Sequence, residues 1–270
     1  MSESSPTRID SASVEPTAQP APSPAPPGGF DYDLLVIGSG PAGERAALQA
    51  AKLGKRTAVI ERRAGVGGVM VHTGTLPSKT LRETVMYISS LRQRSIYGLD
   101  FKLRNRLTVR ELMHRKENVI QKEMEVIQDQ LNRNSIETIS GFGTLTSPHH
   151  VLVSESSDTN RVLTTSKIVI SVGTRPYHPP GVDIDHHYIY DGESILSLDE
   201  IPKTMTIVGA GVIGCEYACI FAHLGIKVTL IDQRERLLDF ADFEISDTLV
   251  YMLRKNRVRL VLGDGAKEIY

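Results

Sequence analysis

A run of six residues occurs twice in this chain, each time in the same setting, and it restricts the fold more than anything else in the sequence. The first copy is Gly38-Ser39-Gly40-Pro41-Ala42-Gly43. It follows the mostly apolar run Asp33 to Ile37, which has strand length, and precedes the Ala-rich stretch Glu44 to Leu53, closed by Gly54. A second strand-like run, Arg56 to Ile60, then ends on Glu61. The other copy is Gly209-Ala210-Gly211-Val212-Ile213-Gly214, set between the run Met205 to Val208 and the helical pattern Glu216 to Leu224. Lys227 to Ile231 follows and ends on Asp232. Glu61 lies 23 residues after Gly38, and Asp232 lies 23 after Gly209. Strand, glycine turn, helix, strand and terminal acid is the order of a βαβ unit that takes a dinucleotide.

Each glycine has its own physical task. Gly38 and Gly209 permit the tight turn, Gly40 and Gly211 let a pyrophosphate approach the backbone, and Gly43 and Gly214 let helix and strand pack closely. The helix that follows offers unpaired N–H groups and a positive dipole end to the phosphates. Glu61 is placed to accept hydrogen bonds from adenosine ribose hydroxyls, and Asp232 suits a ribose 2′-OH. A single domain has no need of the device twice. The expectation is therefore an α/β protein with two Rossmann-like dinucleotide-binding domains.

Composition narrows the rest. Hydrophobic residues make up 40% of the 270, enough for globular cores, and the formal charge of −1 leaves no bulk electrostatic case for nucleic acid or membrane. Seven of the fourteen prolines lie in residues 1–29 among Ser, Ala and Thr, so that segment reads as a disordered tail. It has no apolar core of a secretory signal, and no run elsewhere reaches membrane-spanning length. Cys215 and Cys219 lie four apart on a predicted helix and read as small core residues of a reducing, cytoplasmic protein. His72, His178, His186 and His187 have no ligand spacing, so no metal site is expected. Leu81, Val85, Ile88 and Leu91 mark one amphipathic helix, and Met113, Ile120, Met124, Ile127 and Leu131 mark another. Between them Arg92, Arg94, Lys102, Arg104, Arg106 and Arg110 read as a solvated basic face. Val151 to Val153 and Arg161 to Leu163 read as a small antiparallel layer, and Lys167 to Val172 as a buried strand running into a turn at Gly173.

The stretch Gly65-Val66-Gly67-Gly68-Val69-Met70-Val71-His72-Thr73-Gly74-Thr75-Leu76-Pro77-Ser78-Lys79 carries the chemistry. With the first glycine turn it resembles the pyridine nucleotide-disulfide oxidoreductases, flavoproteins with two dinucleotide sites. Their matching loop has the form GGxCxxxxCxPSK, with the two cysteines as a redox disulfide. Here Met70 and Thr75 occupy those positions, and neither exchanges thiols. The glycines, with Gly68 among them, and Pro77, Ser78 and Lys79 remain, so a loop scaffold without a dithiol is expected, its helix opening at Pro77. The resemblance implies FAD at the first site, beside Gly68, Thr75 and Gly173, with Lys79 near flavin N5 as a stabilising cation. It implies NAD or NADP at the second, where Arg234 and Arg236 near Asp232 suit a 2′-phosphate. It also implies that Glu216 pairs with Lys79.

GSGPAGE, RPYHP, IYDGESIL and GVIGCEYACIF (residues 38–44, 175–179, 189–196 and 211–221) are similar to the branch that moves hydride from NADPH to NAD⁺ through FAD without a disulfide. Diaphorase or oxidase chemistry, a dihydrolipoyl dehydrogenase-like role, and a non-catalytic nucleotide-binding piece are the alternatives. The resemblance divides the chain into the tail 1–29, an FAD domain over 30–202 and the first portion of a nicotinamide-nucleotide domain over 203–270. Family members continue through a returning flavin segment and a homodimerisation domain. A chain ending at Tyr270 is thus expected to hold FAD weakly and turn over poorly.

Overall fold

The computed structural model describes residues 29–93, 108–155 and 160–266. The tail expected over 1–29, all but Gly29, lies outside these residues, as do Arg94, Lys102, Arg104 and Arg106 of the basic stretch.

Two sheets organise the chain. The first has six strands in the order β3-β2-β1-β6-β5-β4. Strand β1 (Tyr32–Ile37) lies parallel to β2 (Thr57–Glu61) on one side and to β6 (Asn160–Ile170) on the other, and β3 (Glu137–Ser140) lies parallel to β2. Strands β4 (Phe142–Ser147) and β5 (His150–Ser154) continue the sheet in antiparallel fashion from the first half of β6. The sequence reading treats Arg161 to Leu163 and Lys167 to Val172 as separate strands, but one eleven-residue strand does both tasks. It pairs with β5 through residues 160–164 and with β1 through residues 165–170. The stretch Lys167 to Val172 is also less buried than expected, because Ile170 at the end of β6 and Val172 beyond it are exposed.

One face of this parallel sheet is covered by the antiparallel layer: Leu35, Ile37, Ala58 and Ile60 meet Val151, Val153 and Leu163. The other face packs on helices: Val36 and Val59 meet Ala47 and Leu48 of α1 (Pro41–Lys52) and Ile127 and Leu131 of α4 (Val109–Arg133). The strands are continuous apolar runs because both faces are covered.

The segment Gly65–Lys79 is not a loop. Gly67 and Gly68 have φ of +105° and +59°, turning the chain into a short helix, α2 (Gly68–His72). The N–H groups of Thr73 and Gly74 close on the Val69 carbonyl, and α3 (Thr75–Gln93) begins two residues before Pro77. Pro77 is tolerated there because the first-turn N–H it lacks has no helical partner.

The second sheet has the order β7-β8-β9, all parallel, from β7 (Thr204–Val208), β8 (Lys227–Asp232) and β9 (Arg259–Leu262). Helices α5 (Val212–His223) and α6 (Phe243–Lys255) complete it. Its core takes in Leu81 and Val85 of α3 and Leu112 and Met113 of α4, packed with Cys215, Ala218, Phe221 and Leu230. Helix α4 thus contributes its first turns to one core and its last turns to the other. A capping box between Thr108 and Glu111 fixes its start. No helix among the described residues is long and apolar enough to cross a membrane.

Candidate functional site

The two glycine runs sit at strand-to-helix turns, and the turns are nearly superimposable in their bonding. Gly38 has φ +103° and Gly209 has φ +106°, conformations that side chains resist. The N–H of Gly38 donates to the Ile60 carbonyl at 2.8 Å, and that of Gly209 to the Ile231 carbonyl at 2.8 Å. A Cβ on Gly43 would lie 1.9 Å from the Gly38 carbonyl oxygen, and a Cβ on Gly214 would lie 1.9 Å from that of Gly209. The first and third glycines are therefore demanded by the chain itself.

The middle glycines are not. Gly40 (φ −65°, ψ 176°) and Gly211 (φ −75°, ψ −172°) have backbone angles open to any residue. A Cβ at Gly40 would meet only Gly68 Cα, at 3.9 Å, and one at Gly211 would meet nothing within 4 Å. Each lies at the N-cap of its helix, α1 or α5, and neither helix has a side-chain cap. Small residues at an uncapped helix N-terminus leave free N–H groups and open space together, which fits a bound phosphate.

The acids hold these turns from below. Glu61, 7% exposed, accepts through Oε2 from the Ser39 N–H at 3.0 Å and the Ser39 hydroxyl, and through Oε1 from the Arg63 N–H at 2.9 Å. Asp232, 8% exposed, accepts through Oδ2 from the Ala210 N–H at 2.6 Å and through Oδ1 from the Arg234 N–H at 2.8 Å. Burial raises the Glu61 carboxyl, but the Ser39 hydroxyl, the two N–H donors and Arg63 outweigh it and leave it below its ordinary value. Hydrogen bonding from the Arg234 side chain is the main reason the Asp232 carboxyl is held far below its ordinary range.

Around the first turn the packing is backbone against backbone. The Gly67 N–H donates to both the Ser39 hydroxyl (3.0 Å) and carbonyl (3.2 Å). A Cβ on Gly68 would lie 2.8 Å from Gly40 Cα, so Gly68 is required by this contact. Ser171, just past β6, donates its hydroxyl to the Gly38 carbonyl at 2.9 Å. The sequence alone assigns no role to Ser39 or Ser171. A polar residue between the first two glycines, facing an acid across the sheet, is the signal for Ser39; no sequence pattern marks Ser171. His72 braces the same segment through Nε2, near the Gly65 and Val66 carbonyls at 3.1 and 3.0 Å. Among the described residues no group of three His, Cys, Asp or Glu side chains is arranged for a metal.

The remaining expected residues fall into place unevenly. Thr75, Lys79 and Gly173 are exposed. Glu216 does not pair with Lys79 among the described residues; it accepts from the Ser78 hydroxyl at 3.1 Å. Successive helical residues point about 100° apart, so the face of α3 that brings Ser78 against α5 carries Lys79 to solvent. Arg236 lies over the Phe243 ring, 3.9 Å from its centroid, rather than beside Asp232. Cys215 is buried, and burial pushes its thiol up to about 11; Cys219, half-buried, is raised for the same reason.

At the second sheet an open cleft of about 740 Å³ lies beyond the C-terminal ends of the strands. Val208, Gly209, Asp232, Arg234 and Asp264 line it on one side and Pro179 to Val182 on the other. That is where parallel α/β sheets take their ligands.

The family model described as pyridine nucleotide-disulphide oxidoreductase matches residues 32–270. The chain belongs to that family. Among its relatives in the family are soluble pyridine nucleotide transhydrogenases. That of Mycobacterium bovis is 44% identical over 235 residues, which cover 87% of this chain and 50% of the relative. That of Photorhabdus laumondii is 46% identical over 220 residues, covering 82% and 47%. The chain spans about half the length of the curated relatives it matches. Among solved structures, the copper(II) complex of the HOCl-induced flavoprotein disulfide reductase RclA from Escherichia coli matches with TM-score 0.75 and 29% identity, covering 88% of this chain and 51% of that one. LpdA of Mycobacterium tuberculosis matches in fold with TM-score 0.78 and 24% identity, covering 87% and 52%.

Proposed function

We propose that the protein takes part in hydride transfer from NADPH to NAD⁺, giving NADP⁺ and NADH, by way of FAD. In this reading residues 30–202 form the FAD domain and residues 203–270 belong to the nicotinamide-nucleotide domain. The observation that carries it is the pair of matched phosphate turns combined with the absence of any thiol beside the first. The chain has two cysteines in all, and both lie on α5 in or against the second core. Met70 and Thr75 stand where a disulfide reductase needs its redox pair, so electrons have no dithiol to follow. The names of the relatives point the same way.

Bound FAD supplies the two-electron relay between nicotinamides. The chain's own part is binding and orientation. Gly40 with the first turn of α1, and Gly211 with that of α5, receive pyrophosphates; Glu61 and Asp232 fix the turns and face the adenosine riboses. Lys79 and Gly173, both exposed, and Thr75 belong to the flavin side, and Lys79 contributes a positive charge there. Glu216 acts as a positioning residue, tying α5 to the start of α3 through Ser78. No protein nucleophile is required. Two free cysteines, Cys215 and Cys219, support a reducing, cytoplasmic location.

The test is a steady-state assay of NADPH with a thio-NAD⁺ acceptor, run with excess FAD. Transfer to the acceptor that survives replacement of both Cys215 and Cys219 by alanine supports the reading. Oxygen uptake unaffected by the acceptor would instead assign an oxidase, and neither activity with tight nucleotide binding would assign a binding protein.

A further inference from the structure

The two acids at the ends of β2 and β8 occupy equivalent places, yet one is open and the other is plugged. A carboxylate offers about four lone-pair sites. Glu61 has three protein donors, from Ser39 N–H, Ser39 hydroxyl and Arg63 N–H. The arginine two residues on, Arg63, sends its guanidinium away to Glu193 at 3.5 Å, which leaves an acceptor site on Glu61. Asp232 receives the equivalent backbone donors, Ala210 N–H and Arg234 N–H, but Arg234 does not turn away. Its Nε donates to Oδ1 at 2.9 Å and its Nη2 to Oδ2 at 2.8 Å, a two-pronged pair that fills the remaining lone pairs. The third nitrogen, Nη1, donates to Asp239 at 3.1 Å.

We infer that Arg234 is a latch over the ribose 2′ position of the second site, and that Asp239 is the residue that receives it when it opens. The inference rests on the reading of this cleft as a nicotinamide-nucleotide site. With Arg234 in place Asp232 has no acceptor for a 2′-OH, whereas Arg234 spends three of its five N–H groups on Asp232 and Asp239 and keeps two for a 2′-phosphate. NAD⁺ therefore requires Arg234 to rotate off Asp232, whereas NADP⁺ can meet the guanidinium where it is. NAD⁺ needs Asp232 bare, so the guanidinium must move wholly to Asp239, as Arg63 already sits on Glu193 in the first site. NADP⁺ brings its own anion and competes with Asp239 for the guanidinium. Asp239 is thus a specificity-determining residue: it favours NAD⁺ and opposes NADP⁺. Its side chain is 57% exposed, so replacing it does not threaten the fold.

The signs separate a latch from simple charge. Asp239→Asn removes a negative charge from a cleft that binds anions, which by electrostatics alone would tighten both nucleotides. A latch without its receiver stays on Asp232, so NAD⁺ should weaken by about tenfold, the worth of one charge-assisted hydrogen bond, while NADP⁺ tightens. Asp239→Glu should restore the wild-type ratio. Removing the latch should abolish the effect: in Arg234→Ala the added Asp239→Asn change should leave NAD⁺ affinity unaltered.

Isothermal titration of the 270-residue chain and its four variants with NAD⁺ and NADP⁺ gives the affinities. Opposite shifts for the two nucleotides, lost in the Arg234→Ala background, support the latch. Equal shifts, or an NAD⁺ loss that persists without Arg234, overturn it while the nucleotide site stands. Wild-type chain that binds neither nucleotide overturns the site reading and the latch with it.

Discussion

Adding one methyl group to the third glycine of either turn should disable that turn and spare the other. In Gly43→Ala the new Cβ would lie 1.9 Å from the Gly38 carbonyl oxygen and 2.3 Å from the Ser171 hydroxyl oxygen. An ordinary C···O contact is about 3.3 Å, so α1 must retreat by roughly 1.4 Å. The serine can rotate, but the carbonyl is backbone at a residue with φ +103° and has nowhere to go. Such overpacking costs about 1–3 kcal/mol, against a helix-propensity gain of about 1 kcal/mol for Ala over Gly. The clash should win, with a net loss of about 1–2 kcal/mol in urea unfolding. Binding should suffer more than stability, because a retreat of this size carries the α1 N-terminus away from the phosphate position, and misplacement by about 1 Å is worth on the order of a hundredfold. Gly214→Ala has the same 1.9 Å clash, with Ile207 Cγ2 at 3.4 Å and no serine behind it, so its cost should be slightly smaller. Equilibrium dialysis with FAD and calorimetry with NAD⁺ separate the sites. Gly43→Ala should lose FAD and keep NAD⁺ within twofold or so, and Gly214→Ala should do the reverse. Both variants weakening both ligands alike would refute the assignment of one nucleotide to each turn.

Ser39→Ala removes the hydroxyl that donates to Glu61 and accepts from the Gly67 N–H, in a site only 1% exposed, and should cost about 1.5–3 kcal/mol. Because the lowered Glu61 carboxyl stabilises the fold above the unfolded carboxylate range and loses that contribution as pH falls through its folded value, the gap between wild type and Ser39→Ala should shrink in acid unfolding series. Cys215, with its thiol pushed up to about 11, is mostly protonated at neutral pH and buried; it should resist iodoacetamide in the native chain and react once urea unfolds it. Ser78→Ala should leave urea unfolding within about 1 kcal/mol, since it removes one hydrogen bond to the half-buried Glu216; a larger loss would make that bond the main tie between α3 and α5.

The two turns were legible because each glycine role leaves a spaced mark, and the acid 23 residues on closes the pattern at both sites. Cys215 and Cys219 were equally readable as core residues, since nothing at ligand or disulfide spacing accompanies them. Helix α2 was hidden because a short helix after two positive-φ glycines looks like a Gly-rich loop. The unity of β6 was hidden for a different reason: its halves pair with different partners, so its burial pattern changes midway along one strand. The Glu216 expectation named the right acid and the wrong neighbour, because helix phase places Ser78 and not Lys79 against α5. The sequence offers Arg234 as a cation for a 2′-phosphate, but it does not show that the same side chain has Asp232 and Asp239 within reach at once.

The most direct test of the account is an anaerobic half-reaction experiment on the FAD-loaded chain carrying Cys215→Ala and Cys219→Ala, which has no thiol at all. NADPH should bleach the flavin absorbance, and NAD⁺ added after removal of NADP⁺ should restore it with one NADH formed per flavin. Bleaching that NAD⁺ cannot reverse, or that occurs in the wild-type chain and disappears in the thiol-free variant, would contradict hydride transfer between two nicotinamide nucleotides without a disulfide.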